Sequence, residues 1–160
     1  MERPSVRRAG PEDVRIVARL LAEFRAWLGR ATPSEDFFAE RISELVESEQ
    51  HEVLVADAVA CCVLSFRASA WSRGGGVCCI EDLFVQPQAR GAGIGASLVT
   101  AAINAATGRR CYRVELDVSR ANETAVAFYD GLGFRSRDDD YGADNLVMRL
   151  DVAQLNHYPT

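Results

Sequence analysis

The chain has 160 residues, of which 48% are hydrophobic and 26% are charged, and its formal net charge is −5. This composition predicts one soluble globular domain over residues 1–160, large enough to bury a substantial core. The acidic balance argues against a nucleic-acid partner, because such proteins usually carry a basic face. No apolar stretch reaches the roughly 20 residues of a membrane span. A cationic small molecule is a compatible partner.

Five cysteines stand at positions 61, 62, 78, 79 and 111. Their number is odd, and a disulfide between sequence neighbours would be strained. The spacing of Cys and His typical of a metal site does not occur. The cysteines are therefore expected to be reduced and buried, with no metal, in a cytoplasmic protein. The absence of a signal-peptide pattern at the N-terminus favours the same location.

Capping residues and helical spacing predict two helices in the first third of the chain. A short strand over residues 5–9 comes first. Pro11 and the acidic residues after it begin a helix that is expected to run to about Leu28. Ser34 is predicted to cap the second helix.

A β-hairpin is predicted to follow the second helix. Its strands cover residues 53–56 and 59–66. They are joined by a tight turn at Asp57 and Ala58, which lacks the glycine that such turns favour.

Strands and helices alternate through the remainder of the chain. The continuous β-prone run over residues 77–85 predicts a buried central strand. Further strands are expected over residues 112–118 and 145–150, and helices over residues 94–107 and 122–132. The order of these elements predicts an α/β layered domain with a mixed sheet.

The run VQPQARGAGIGASL, residues 85–98, carries the strongest chemical signal. Pro87 stops the preceding strand, and Gly91, Gly93 and Gly95 then open a helix. Glycines at this spacing let backbone N–H groups turn toward one point, and with the helix N-terminus they form an anion site. A nucleotide P-loop would need a Lys followed by Ser or Thr, and a dinucleotide loop would need GxGxxG after the first strand, so both fit poorly.

Residues 88–93, QARGAG, match the Q/R-x-x-G-x-G/A signature of the GNAT superfamily of acyl-CoA N-acetyltransferases, which this chain resembles. The resemblance covers about residues 3–150 and is specific over residues 80–134. The form IED-x-FV is most similar to diamine, polyamine and thialysine acetyltransferases. The resemblance implies a mixed, mostly antiparallel sheet with a splayed central strand pair and helices on both faces. It also implies direct transfer of an acetyl group from acetyl-CoA as cosubstrate, with no metal.

The resemblance further implies which residues hold the coenzyme. The backbone of residues 83–85 would pair with the pantetheine arm, and N–H groups over residues 90–96 would hold the pyrophosphate. Asn122 would touch the pantetheine arm, although a helix N-cap is an equally good interpretation of this residue. The full set of expected coenzyme contacts is Leu83, Phe84, Val85, Gln88, Arg90, Gly91, Ala92, Gly93, Ile94, Gly95, Ala96, Asn122 and Tyr129.

Three residues are candidates for the chemistry. Tyr129 matches the tyrosine that the family often places near the coenzyme sulfur, where it would act as general acid; a core tyrosine is the alternative. Glu81 and Asp82 are carboxylates in a strand that reads as buried, where charge is costly unless it is paired or functional. A salt bridge is one interpretation.

The functional interpretation gives the two carboxylates separate roles. Glu81 would take the proton from the substrate ammonium, whose pKa is about 10.4, directly or through water, and Asp82 would hold a substrate ammonium. The Leu83 N–H would stabilise the developing oxyanion. An acyl carrier role for Cys111 or Cys79 is disfavoured because no His lies nearby in sequence.

The expected acceptor is the primary amine of a small cationic molecule. Its pocket is expected to involve residues 27–38, with Trp71 and the acidic segment at residues 138–141. A protein N-terminus or lysine is the alternative acceptor, and a homodimer is compatible with either. A catalytically silent acyl-CoA-binding protein is a further alternative, which the presence of both Glu81 and Tyr129 disfavours.

Overall fold

The computed structural model describes residues 4–70, 76–136 and 144–152. Seven strands lie in this part of the chain: β1 (Val6–Arg8), β2 (His51–Ala56), β3 (Ala60–Arg67), β4 (Gly76–Val85), β5 (Cys111–Ser119), β6 (Arg135–Ser136) and β7 (Asn145–Asp151). Four helices lie there too: α1 (Val14–Trp27), α2 (Glu35–Glu47), α3 (Ile94–Gly108) and α4 (Glu123–Gly131). Short 3₁₀ turns, Pro11–Asp13 and Pro87–Ala89, precede α1 and α3. Every helix among the described residues is too short or too polar to cross a membrane.

The strands form one mixed sheet in the order β1-β2-β3-β4-β5-β7-β6. β4 and β5 run parallel, whereas β1 with β2, β2 with β3, β5 with β7 and β6 with β7 run antiparallel. This confirms the expected α/β layered fold with a mostly antiparallel sheet. The chain divides into two compact units, residues 1–65 with 82–101 and residues 66–81 with 102–160.

The core of the first unit lies between its two N-terminal helices and strands β1 to β3. One face of α1 and one face of α2 are apolar, and alternate residues of β2 and β3 point toward them. Each fully buried aliphatic side chain contributes about 1.5–3 kcal/mol relative to exposure. The buried members are Ala9, Val17, Leu20, Leu21, Ile42, Val53, Val55, Cys61, Val63 and Phe84.

Local sequence signals set the ends of these elements. The Ser34 hydroxyl accepts a hydrogen bond from the Phe37 N–H at 3.1 Å, which confirms the predicted N-cap of α2. The hairpin turn also lies where it was predicted. Its central residues, Asp57 and Ala58, have φ values of 44° and 55°, as a type I′ turn requires.

Asp13 is the buried carboxylate that joins the start of α1 to β1. Its side chain accepts two hydrogen bonds of 2.7 Å from Arg7 and one of 2.9 Å from the Gly10 N–H. Asp13 is 2% exposed. The bond from Arg7 lowers the pKa of Asp13, and the Gly10 N–H lowers it further, while burial opposes them. The ionised carboxylate therefore holds strand and helix together.

We expect Asp13→Asn to lower the free energy of unfolding by about 1–3 kcal/mol at neutral pH. A carboxylate whose pKa is lowered by folding stabilises the protein above its unfolded pKa of about 3.9, and this stability is lost as pH falls through the folded pKa. The variant should therefore lose less stability between neutral and acid pH than the wild type. Urea unfolding from acid to neutral pH measures both effects. Glu44→Gln, in the exposed Arg41–Glu44 pair, serves as control and should change stability by less than about 1 kcal/mol. Equal effects of the two substitutions would contradict the assignment.

The second unit contains a parallel ladder between β4 and β5. The ladder begins at Gly76 with Cys111 and ends at Cys79 with Glu115, so Ile80 and Glu81 lie beyond its last pair. β5 continues past that point and remains paired with β7 through Ser119. Pairing between the two strands is thus confined to the beginning of β4.

Strand β5 gives this part of the sheet one apolar and one polar face. Val114, Leu116 and Val118 are buried, whereas the alternating residues are charged and at most half-buried. These charged residues are Arg113, Glu115 and Asp117.

Candidate active site

The glycine loop between β4 and α3 has a backbone that two glycines shape. Gly91 and Gly93 have φ values of +84° and +80°, a conformation that residues with side chains rarely adopt. A Cβ atom built at either position would meet no atom within 4 Å, so the space above both glycines is open. Gly95 lies inside the first turn of α3 rather than in the loop.

Helix α3 begins directly after this loop, at Ile94. The Ser97 N–H donates to the Gly93 carbonyl at 3.0 Å and closes the first turn of the helix. The N–H groups of Ile94, Gly95 and Ala96 precede that bond, and the positive end of the helix dipole adds to their field. The Arg90 N–H instead donates to the Pro87 carbonyl at 3.3 Å. The Arg90 N–H thus has a partner within the protein, and the expected coenzyme contacts over residues 90–96 stay a prediction.

The Arg90 side chain contacts the end of β4 and the end of α1. Its Nε donates to the Val85 carbonyl at 3.0 Å. Its guanidinium lies 5.3 Å from the centroid of the Trp27 ring and 6.0 Å from that of Phe84. Gln88, also predicted to contact the coenzyme, is exposed and donates to the Gln86 side-chain carbonyl at 3.2 Å. Arg90 thus ties the end of β4 to α1, a contact that sequence spacing does not reveal.

Strand β4 presents its two acidic residues differently. Glu81 is exposed and Asp82 is half-buried. The expectation that both lie in a buried strand was therefore wrong for Glu81, because burial alternates along this part of β4 and Ile80 before it is buried. Because Glu81 is exposed, its charge needs no compensating partner to offset burial. An exposed carboxylate is also accessible to a soluble amine, as a proton acceptor has to be.

The carboxylates of Asp82 and Glu23 both lie near Cys61 in the first unit. Burial, together with the nearby carboxylates of Asp82 and Glu23, raises the pKa of the Cys61 thiol to about 12. The Gln86 amide donates to both oxygens of Glu23, at 3.1 and 2.9 Å. Cys61 is therefore protonated and unreactive at neutral pH, and Glu23 is an acidic neighbour that the sequence patterns did not single out.

The remaining thiols fit the expectation of free, reduced cysteines. All five are free, and Cys79 is the half-buried one. Burial raises the pKa of Cys111, which further disfavours it as an acyl carrier. Within the described ranges, no group of three or more His, Cys, Asp or Glu side chains is placed to hold a metal ion.

Asn122 and Tyr129 are both set by helix α4. The Asn122 side-chain oxygen accepts from the Ala125 N–H at 3.2 Å, so Asn122 is the N-cap. This bond uses the oxygen of the amide and leaves the role of its N–H groups toward the coenzyme as a prediction. Tyr129 is 8% exposed, and its ring packs against Phe128 at 5.0 Å and Phe134 at 5.6 Å between centroids. The ring is therefore a core group, and a role for its hydroxyl stays a prediction.

An arginine cluster on β5 and its neighbours is a feature that the sequence analysis missed. Arg67, Arg113 and Arg149 surround Glu115, whose side chain is 13% exposed. The alternation of charged and apolar residues along YRVELDV was the signal that one face of this strand is charged.

The expected residues of the acceptor pocket are described only in part. Trp27 and Phe37 are 52% and 48% exposed. Glu35 and Asp36 lie in the first turn of α2. Trp71 and residues 138–141 lie outside the described residues.

The sequence profile of the Acetyltransferase (GNAT) family matches residues 16–134. A protein from Arthrobacter sp. FB24, named as an acetyltransferase, is 32% identical, with a TM-score of 0.77 over 90% of this chain and 92% of its own. The fold also matches the PaiA N-acetyltransferase from Thermoplasma acidophilum, solved in complex with coenzyme A, at 18% identity and a TM-score of 0.72, over 94% of this chain and 99% of that one.

Among curated proteins, the glucosamine 6-phosphate N-acetyltransferase of Trypanosoma brucei brucei is 39% identical over 83 residues, 51% of this chain. The match spans half of that relative's length. The family match covers well over half of this chain, and it includes the glycine loop and helix α4. The chain therefore belongs to the acetyltransferase (GNAT) family.

Proposed function

We propose that this chain is a single N-acetyltransferase domain that transfers an acetyl group from acetyl-CoA to the primary amine of a small cationic molecule. The observation that carries the proposal is the glycine loop, with positive φ at Gly91 and Gly93 and open space above both. GNAT enzymes use acetyl-CoA, and the PaiA enzyme of the same fold is known in complex with coenzyme A.

The residues of the loop fit the coenzyme's pyrophosphate. The N–H groups of residues 91–96, at the positive end of α3, are suited to a doubly charged anion. The backbone of residues 83–85, at the end of β4, would align the pantetheine arm as an added strand. Arg90 would hold this strand end in place through its bond to the Val85 carbonyl.

The coenzyme supplies a thioester that an uncharged amine can attack. An alkyl amine is mostly protonated at neutral pH, since its pKa is about 10.4. Glu81 is exposed on β4, and we assign to it the removal of that proton, directly or through one water. Asp82 would hold an ammonium group of the acceptor by a charge-assisted hydrogen bond. Tyr129, fixed by its ring packing, would donate its hydroxyl proton to the leaving sulfur.

Three observations support a small, cationic acceptor. The curated relative from Trypanosoma brucei brucei acts, by its name, on an amino sugar phosphate, which is a small molecule. The IED-x-FV form of β4 is similar to that of diamine, polyamine and thialysine acetyltransferases. Asp82 and Glu23 add negative charge to the first unit, which would favour a cationic amine.

The coenzyme assignment is tested by substituting one glycine of the loop. We expect Gly93→Val to raise the Kd for acetyl-CoA at least tenfold, about 1.4 kcal/mol, because the new side chain fills the space over which the phosphates must lie. Isothermal titration calorimetry measures this Kd.

Gly29→Val is a matched control for backbone strain. Gly29, after α1, has a φ of +74°, and a Cβ there also meets no atom within 4 Å. Both variants impose a similar strain on folding, but only Gly93→Val should weaken acetyl-CoA binding. Equal coenzyme affinity in the two folded variants would overturn the assignment.

A further inference from the structure

Among the described residues, three arginines of the second unit lie around a single carboxylate, that of Glu115. Glu115 Oε1 accepts from Arg67 Nη2 at 2.6 Å, and Glu115 Oε2 lies 3.1 Å from Arg113 Nη2 and 3.7 Å from Arg149 Nε. One carboxylate thus faces three guanidinium groups. The side chains of Arg113 and Arg149 are 20% and 23% exposed, so water screens them only in part.

A purely structural role for the cluster explains only part of it. Glu115 needs a cation because it is largely buried, and the short bond from Arg67 supplies one. Arg113 adds a second positive charge, and its buried Nε has no hydrogen-bond partner among the described residues. Asp117 and Asp151 are on the same face, but both are exposed, where water weakens their field. A guanidinium with N–H groups to spare is suited to a planar or tetrahedral oxyanion.

The cluster lies on the same face of the sheet as Glu81. Cys79 is 3.8 Å from Glu115 Oε1, and Glu81 is two residues further along β4, so both side chains point to this face. Two residues of a strand span roughly 7 Å. A small molecule can therefore reach from the cluster to Glu81.

We propose that Arg67 and Arg113, with Arg149 beside them, bind an anionic oxygen group of the acceptor, a phosphate or a carboxylate. The acceptor would then carry both charges, a cationic amine and an anionic group a few bonds from its nitrogen, rather than being cationic alone. Its ammonium end meets Glu81, and its anionic end meets the arginines. The kinetic test of this inference rests on the proposed acetyl transfer, whereas the binding test is independent of it.

The binding test uses inorganic phosphate as the probe and does not depend on turnover. Calorimetry at constant ionic strength compares wild type with Arg67→Gln, which changes a 60% exposed side chain, and with Arg113→Lys, which keeps the charge. Arg15→Gln, on the exposed face of α1, is the control. We expect about tenfold weaker phosphate binding in both cluster variants and wild-type binding in the control. The same phosphate affinity in all four proteins, or no measurable binding to wild type, would overturn the inference.

The kinetic test separates the two sources of the oxyanion. A primary amine is compared with its phosphate monoester and with an analogue that carries a carboxylate at the same position. We expect a KM about tenfold lower for one of the two anionic acceptors than for the amine that lacks an anionic group. Arg67→Gln should lose that preference with little change in kcat. Turnover of amines with no preference for an anionic group would refute the inference and leave the proposed function intact. Phosphate binding at the arginines with no turnover of any amine would refute the proposed function instead.

Discussion

Tyr129→Phe is expected to lower kcat about 100-fold while the Kd for acetyl-CoA barely changes. The substitution removes one hydroxyl from a ring whose packing against Phe128 and Phe134 does not depend on it. A positioned general acid typically contributes 10²–10⁴-fold to a rate, about 3–5 kcal/mol of the barrier. Initial rates of thiol release at saturating acetyl-CoA, with chemistry shown to be rate-limiting, measure the effect.

A second tyrosine controls for the loss of a hydroxyl as such. Tyr112→Phe removes the same atom from a half-buried tyrosine of β5 and should leave kcat unchanged. Thermal unfolding of both variants shows whether either substitution disturbs the fold. A near wild-type kcat for Tyr129→Phe would mean that Tyr129 is only a core residue and that the sulfur is protonated by another group.

Glu81→Gln is expected to lower kcat by about 100-fold near neutral pH, because the variant keeps the shape of the side chain and lacks the base. Free amine is scarce at low pH, so the loss should be largest there and should shrink as pH approaches the amine's pKa of about 10.4. Since Glu81 is exposed, the substitution should change stability by no more than about 0.5 kcal/mol, which separates catalysis from folding. The pH profile of kcat for both proteins measures the effect.

Asp117→Asn is the matched control for Glu81. Asp117 is also an exposed carboxylate, and its side chain belongs to the polar face of β5. If Glu81 affected kcat only through the electrostatic potential of its charge, Glu81→Gln and Asp117→Asn should both lower kcat to a similar and small extent. Parallel pH profiles for wild type and Glu81→Gln would rule out Glu81 as the base.

The parts of the fold that follow from local rules were predictable from sequence. Ser34 caps α2 because its hydroxyl reaches the Phe37 N–H three residues on. Helix α3 begins at Ile94 as predicted, where Gly91 and Gly93 turn the backbone out of the loop. These signals act over a few residues, so a single sequence is sufficient to read them.

Features that depend on tertiary contacts were not predictable. β6 has two residues and exists through its pairing with β7, which no local propensity indicates. The exposure of Glu81 depends on which face of β4 other elements cover. The run VCCIEDLFV has the mainly apolar composition of a strand that is buried on both faces.

The candidate site divides in the same way. The coenzyme loop follows from its glycines, whereas the arginine cluster brings together β3, β5 and β7 from distant parts of the chain. Its members can be found by alternation on each strand, but their meeting at Glu115 requires the register of the sheet.

One turnover measurement tests whether the protein transfers an acetyl group from acetyl-CoA to an amine. Purified protein is incubated with acetyl-CoA and a panel of primary amines, peptides with free N-termini and lysine peptides. Free thiol is followed as the readout, and mass spectrometry identifies the acetylated product. We expect stoichiometric release of thiol and formation of an N-acetylated small molecule, with the rate about 100-fold lower in Glu81→Gln near neutral pH. Tight binding of acetyl-CoA without acetylation of any amine would contradict acetyl transfer, and acetylation of the peptides alone would contradict the small-molecule acceptor.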